Sequence, residues 1–152
     1  MAYQLREVTL RTNNTSEGIK KIIEIWQDIE SGKLPILYDT DHKLIEEFPI
    51  ISTYSNYASD ENCDFDFSIM RVAFEFFQDI EESVVSGKYL KYDESSDNDD
   101  FGICSKKAWR KVGDEQKSGN INRAFSEDYE TFIPAKYAKD GKVHCYLYIA
   151  IK

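Results

Sequence analysis

The sequence predicts an α+β fold: one antiparallel sheet built from two repeated β-α-β-β halves, with both helices on one face and a ligand cleft on the other. Each half contains one helix-like segment, preceded by one strand-like segment and followed by two. The last segment, Val143–Lys152, is apolar on both faces, which is typical of a central strand. The length of 152 residues and a hydrophobic content of 41% fit a single domain, 1–152.

The first half begins with a strand at Tyr3–Arg11, which is rich in Leu, Val and Thr. A helix is predicted at about Thr15–Ser31, because isoleucines and Trp26 recur there at steps of three and four residues. Such spacing forms one apolar stripe that can pack on a sheet. Asn14 is expected to cap this helix, and Gly32 is expected to end it.

Two strands should follow, at Phe48–Tyr57 and Phe65–Phe77, because both segments are rich in aromatic and β-branched residues. Alternation in Phe65–Phe77 separates a wholly apolar side from a mixed side. The apolar side is expected to face the core. The mixed side, expected to face water or a pocket, holds Phe67, Ile69, Arg71, Ala73 and Glu75.

The second half repeats the plan, with a short strand at Lys88–Asp93 after Gly87. A helix is predicted at about Phe101–Val112, ended by Gly113. Its inner side is expected to carry Ile103, Cys104, Ala108 and Val112. The last two strands are predicted at Asp128–Ile133 and Val143–Lys152. A cleft between the halves is the natural place for a ligand.

Composition limits the classes of partner. The formal net charge is −9, which opposes direct binding of nucleic acid and favours cationic ligands. Three scattered cysteines and no signal-like N-terminus favour reduced thiols in a cytoplasmic protein. The two histidines lack metal-ligand spacing with these cysteines. No segment has the apolar length of a membrane span, and no phosphate loop or nucleophile motif is present. We therefore expect no metal, no cofactor and no membrane partner.

Five segments, in order, resemble the GyrI-like, AraC-type effector-binding family, in the short free-standing branch that includes integron cassette proteins. They contain the Trp of the first helix, a Tyr-x-x-Tyr element, a Gly-Lys-Tyr strand, an aromatic-Glu-x-aromatic element and the terminal strand. The segments are Ile22–Ile29, Phe48–Met70, Ser86–Asp93, Asn122–Phe132 and Tyr146–Lys152.

The resemblance implies a multidrug-type pocket lined by aromatic residues, in which a buried acidic residue pairs with cationic drugs or metabolites. Glu130 matches the acidic position, and the alternative is a solvated glutamate on an edge strand. Arg71 departs from the family, which often has glycine there; Arg71 could neutralise an acidic neighbour or form a surface ion pair. Phe74–Glu82 is also more apolar and acidic than the family pattern.

Aromatic residues are the remaining candidates for ligand contact. Tyr146 and Tyr148 share one side of the last strand and, with Tyr54, are candidate pocket walls or ordinary sheet-surface tyrosines. Phe132 is expected to shape the cleft. Trp26 and Trp109 are expected mainly to pack in the core, with contact to a ligand as an additional role.

Three functions remain open. The first is a stand-alone sensor or sequestering protein for a small cationic aromatic molecule, with a role in transcription regulation implied by the family. The second is a small hydrolase, in which Glu130 is the base and Tyr146 orients the substrate. The third is an inhibitor that binds a protein partner through its acidic surface. A homodimer is also left open. The poor match to catalytic motifs favours binding over catalysis.

Overall fold

A computed structural model describes residues 4–30, 50–59, 64–72, 74–97, 101–133, 135 and 138–152. The chain divides into two compact units, Met1–Phe77 and Gln78–Lys152. Within the described residues the predicted α+β class is confirmed, and no helix there has both the length and the apolar character needed to cross a membrane. In chain order the elements are β1 (Gln4–Thr12), α1 (Ser16–Glu30), β2 (Ile50–Ser55), β3 (Phe65–Val72), α2 (Phe74–Val85), β4 (Tyr89–Ser96), α3 (Phe101–Lys117), β5 (Glu127–Ile133) and β6 (Val143–Ala150).

The β-α-β-β plan is confirmed in both units. The first unit contains β1, α1, β2 and β3, and β3 lies between its two antiparallel neighbours β1 and β2. The second unit contains β4, α3, β5 and β6, and β6 lies between β5 and β4. The central position predicted for the terminal strand is therefore correct. The predicted single domain and the ligand cleft between the halves stay predictions.

Helix α1 begins one residue later than its predicted cap implies. The backbone N–H of Gly18 donates to Thr15 Oγ1 at 3.1 Å, so Thr15 rather than Asn14 caps the helix. Asn13 supports this turn by accepting the backbone N–H of Thr15 at 3.1 Å. Of the predicted apolar stripe, Ile22 is buried, whereas Ile19 and Ile23 are exposed. Gly32, the predicted end of the helix, lies outside the described residues.

The prediction of one long strand at Phe65–Phe77 is wrong. The strand ends at Val72, and Phe74–Val85 forms helix α2. Aromatic residues favour strands, but Glu75, Gln78, Glu81 and Glu82 in the same segment are good helix formers. The predicted facing of β3 is also wrong, because Phe67 and Ile69, expected to face water or a pocket, are both 0% exposed.

Helix α3 covers one face of the sheet in the second unit. Cys104, Ala108 and Val112 pack on Cys145, Leu147 and Ile149 of β6, as the inner side of the helix predicts. Ile103 was also predicted there but is exposed. The helix continues past Gly113 to Lys117. Gly119 then turns the chain away from the helix: its φ of 80° allows the backbone N–H of Asn120 to reach the carbonyl of Glu115 at 2.9 Å.

Candidate functional site

The register of β5, β6 and β4 decides which side chains of the second unit share a face. Directly opposite residues in an antiparallel pair lie on the same side of the sheet. Glu130 is opposite Leu147, whereas Tyr129 is opposite Tyr148 and Thr131 is opposite Tyr146. Leu147 belongs to the core beneath α3. Glu130 therefore lies on the α3 side, and Tyr146 and Tyr148 lie on the other side.

We call this other side the tyrosine face, defined by Tyr89, Tyr129, Tyr146 and Tyr148. Strand β4 adds Lys91 and Asp93 to it, since Lys91 is opposite Tyr148 and Asp93 is opposite Tyr146. The Tyr89 and Tyr129 rings contact each other with centroids 6.0 Å apart. Burial raises the pKa of Tyr89 to about 12, with a further contribution from Glu127. These phenols are neutral at physiological pH. Tyr129 and Tyr148 are buried, at 9% and 1% exposed, whereas Tyr89 and Tyr146 are half-buried and present aromatic surface.

A cation already lies on the tyrosine face. The ammonium nitrogen of Lys91 is 4.3 Å from the centroid of the Tyr146 ring and 5.6 Å from that of Tyr148. Both distances fall within the range of cation–π attraction. Glu81 of α2 accepts a hydrogen bond from this ammonium at 2.6 Å. We call Glu81, Tyr146 and Tyr148 the cation box.

Hydrogen bonds keep the carboxylate of the cation box ionised. Tyr148 donates its hydroxyl to Glu81 at 2.7 Å, in addition to the bond from Lys91. Partial burial opposes ionisation of Glu81, but these two bonds outweigh it and hold its pKa below the usual value. Burial and the neighbouring Glu81 raise the pKa of Tyr148. The box thus combines one full negative charge with two neutral aromatic rings, which suits a cation.

Glu130 is enclosed on the opposite side of the sheet, where it is only 2% exposed. Its carboxylate accepts hydrogen bonds from Ser105 Oγ at 2.7 Å and Trp109 Nε1 at 3.0 Å, and Cys145 Sγ lies 3.5 Å away. Burial and the Glu130 charge raise the pKa of the Cys145 thiol, which therefore stays protonated and can donate. The alternative of a solvated edge glutamate is wrong, since this side chain is internal.

The predicted site residues therefore fall into separate groups. Glu130 and Trp109 are joined by a hydrogen bond, and Phe132 packs against the core on the same side of the sheet. Tyr146 and Tyr148 lie on the tyrosine face, so the arrangement in which they surround Glu130 is wrong. Whether any of these residues binds a ligand stays a prediction.

The other three predicted site residues belong to the first unit. Tyr54 of β2 is 9% exposed, and its ring contacts Phe65 and Phe67 at 5.7 and 5.3 Å. Trp26 of α1 is half-buried. Arg71 pairs with Ile50 in the sheet, but its side chain lies outside the described part of the chain. A contact of these residues with ligand stays a prediction.

Sequence reasoning missed Glu81 and Lys91. Glu81 lies between the predicted strand Phe65–Phe77 and Gly87, where no helix is predicted, so its helical position beside the tyrosines is not expected from the sequence. Lys91 lies in the correctly predicted fourth strand, two residues from Tyr89 and Asp93 on the same side. The signal available was its alternation with Leu90 and Tyr92, which places Lys91 on the side of β4 that faces away from α3, with aromatic neighbours.

No family model matches this chain, and no curated protein matches it. The solved structures that resemble it include an integron cassette protein from the mobile metagenome of Vibrio cholerae, with 17% identity and a TM-score of 0.62. That alignment covers 98% of this chain and 93% of the other. A hydrolase from Listeria innocua aligns with 9% identity over 99% of this chain and 89% of the other, at a TM-score of 0.35. The first likeness shows the fold and agrees with the cassette-like α+β architecture that the resemblance implies; the second is too weak to support an argument.

Proposed function

We propose that this chain is a binding module for a small cationic aromatic molecule, of the GyrI-like effector-binding kind, and that the ligand binds at the tyrosine face. The observation that carries the proposal is the cation box, in which Glu81, Tyr146 and Tyr148 surround an ammonium. A ring on the ligand can stack on Tyr146, which is half-buried, while its charge takes the place beside the carboxylate of Glu81. Tyr148 is only 1% exposed and supports the box from within, through its hydrogen bond to Glu81. The biological role would be to sense or sequester such a molecule.

Three features support a cationic rather than an anionic ligand. Glu81 is held ionised by its hydrogen bonds. Asp93 adds a second carboxylate to the same face, where it lies 2.7 Å from the ring of His144. The chain as a whole has a formal net charge of −9, which raises the local concentration of cations. An anion at the cation box would meet the ionised carboxylate of Glu81.

Glu81 replaces Glu130 as the favoured acidic residue. Glu130 is 2% exposed and already accepts hydrogen bonds from Ser105 and Trp109, so a ligand would have to break an internal network to reach it. The side chain of Glu81 is 45% exposed and can be approached from solvent. The resemblance suggested an acidic residue among aromatics, and the tyrosine face offers that combination at a different position.

Binding of thioflavin T, a cationic aromatic dye, tests the proposal. We expect Glu81→Gln to weaken binding by about two- to fivefold, because a partly exposed charge pair contributes about 0.5–1 kcal/mol. Tyr146→Leu should weaken it by about two- to thirtyfold through the loss of a cation–π contact of about 0.5–2 kcal/mol. The uncharged analogue of the dye, which lacks the methyl group on the ring nitrogen, should bind more weakly and respond little to Glu81→Gln.

Two other glutamate variants are matched controls. Glu94→Gln makes the same charge change on the other side of β4, opposite Cys145, and should leave dye affinity unchanged. Glu130→Gln should also leave it unchanged if its fold is intact by circular dichroism. A selective loss of binding in Glu130→Gln, with full binding in Glu81→Gln, would move the site to the α3 side and contradict the proposal.

A further inference from the structure

Lys91 occupies the position that the proposed ligand needs. Its ammonium is 2.6 Å from Glu81 and 4.3 Å from the Tyr146 ring centroid, so it uses the same carboxylate and the same aromatic surface that would hold a foreign cation. The side chain starts from β4 directly opposite Tyr148 and reaches across the face. The chain thus presents its own cation to its own site.

We infer that Lys91 is an internal competitor for the ligand: a cation binds only when the Lys91 ammonium leaves the cation box. This inference rests on the proposed function, which places the ligand at the same box. Lys91 is then a specificity-determining residue, because a ligand must contact Glu81 and Tyr146 better than a lysine does. Compact cations that add no aromatic area would fail to displace it, and cationic ligands with extended rings would succeed.

Charge and flexibility explain why displacement is feasible. Two like charges cannot share one carboxylate without mutual repulsion, so the ligand and the ammonium exclude each other. The Lys91 side chain is 29% exposed and ends a flexible four-carbon stem, so its ammonium can move into solvent without opening the fold. A partly exposed ion pair is weak, so the pair with Glu81 is a modest barrier rather than a fixed cross-link.

Removing the competitor should tighten binding. We expect Lys91→Met, which keeps most of the stem and removes the charge, to raise the affinity for thioflavin T by about tenfold, since a cation–π contact and an exposed ion pair together correspond to about that ratio. Lys111→Met is the matched control. Lys111 on α3 is also close to a glutamate of β4, with its nitrogen 4.0 Å from Glu94, but on the other side of the sheet. The affinity of Lys111→Met for the dye should equal that of the wild type.

The outcomes separate the inference from the proposed function. Equal or weaker dye binding by Lys91→Met, with measurable binding by the wild type, would overturn the competitor role and leave the proposed function in place. Absence of binding by both the wild type and Lys91→Met would overturn the proposed function. Lys91→Met should raise the affinity for the uncharged analogue much less than the affinity for the dye, because the analogue carries no charge that competes with the Lys91 ammonium.

A second measurement does not depend on the folding of the variant. Lysines of the wild type can be reductively methylated with ¹³C-formaldehyde, which keeps their positive charge, and their methyl signals followed by NMR. The Lys91 signal, assigned with Lys91→Arg, should be shifted upfield by the Tyr146 ring and should move to the position of exposed lysines as the dye saturates. A Lys91 signal that keeps its upfield position at saturation would contradict displacement.

Discussion

Arg123→Met should be among the most destabilising single substitutions in the second unit. Arg123 is 5% exposed and Asp128 is 0% exposed, and the Arg123 guanidinium donates to Asp128 Oδ2 at 2.8 Å. The other oxygen of Asp128 accepts the backbone N–H of Ala150 at 2.9 Å. The guanidinium also lies 4.4 Å from the Phe125 ring centroid. The ion pair and the hydrogen bond from Ala150 together tie the segment before β5, through Asp128, to the end of β6.

The magnitude follows from the burial of the carboxylate. Removing one partner of a buried pair leaves a charge in a region of low polarity, which costs about 3–5 kcal/mol. For a chain of this length that corresponds to a fall in Tm of about 6–20 °C. Urea unfolding followed by circular dichroism gives the free energy directly. Arg123→Met combined with Asp128→Asn should recover part of the loss, because the double variant buries no unpaired charge.

Arg110→Met, an exposed substitution on α3, is the control and should change the free energy of unfolding by no more than about 0.5 kcal/mol. If Arg123→Met also cost less than about 1 kcal/mol, the reasoning from burial would be refuted, because the guanidinium would then have no large stabilising role. A lower m-value, the dependence of the unfolding free energy on urea concentration, would instead indicate a change in the denatured state. The m-value and the midpoint are therefore compared separately.

Two further predictions concern a histidine and two glycines. Hydrogen bonds from His144 to Asp93 and Asp140 raise the pKa of its ring above the ordinary value of about 6.5. The protonated ring therefore stabilises the fold fully below about pH 6.5, and this contribution is lost as the pH rises through the raised pKa of the folded state. An NMR titration of the His144 ring should show the raised midpoint, which Asp140→Asn should lower; a midpoint at or below 6.5 in the wild type would contradict this. Gly113→Ala should stabilise the protein by about 0.5–1 kcal/mol in urea unfolding, because the position is helical and an added methyl group meets nothing within 4 Å. Gly18→Ala should instead destabilise the protein, because the added methyl group would press against the backbone oxygen of Asn13. Equal effects at the two glycines would contradict the steric argument.

Periodic patterns made most of the fold predictable. The isoleucine spacing of α1 and the two-sided apolar character of β6 each depend on residues close together in sequence, and both elements were found. Helix α2 was missed because its aromatic residues favour a strand while its acidic residues favour a helix. The predicted α3 ended too early, at Gly113. A glycine within a helix costs only about 1 kcal/mol, and its neighbours and packing offset that cost, so the helix continues to Lys117.

The candidate site was less predictable, because it depends on strand register. Pairing of Glu130 with Leu147 separates the carboxylate from Tyr146 and Tyr148. A shift of one residue would have placed all three on one side, and nothing in the local pattern distinguishes the two registers. Glu81 was hidden for a different reason: it reaches the tyrosine face only because its segment is a helix. The sequence therefore indicated an acidic residue among aromatic residues, but not that Glu81 is the one that lies beside Tyr148.

A map of intermolecular NOEs from bound thioflavin T to ¹³C-labelled aromatic side chains tests the central claim most directly. Binding at the cation box predicts contacts from the dye to the rings of Tyr146 and Tyr148, which lie within 6 Å of the Lys91 ammonium. Contacts to Trp109, beside Glu130 on the other side of the sheet, with none to these two tyrosines, would contradict it.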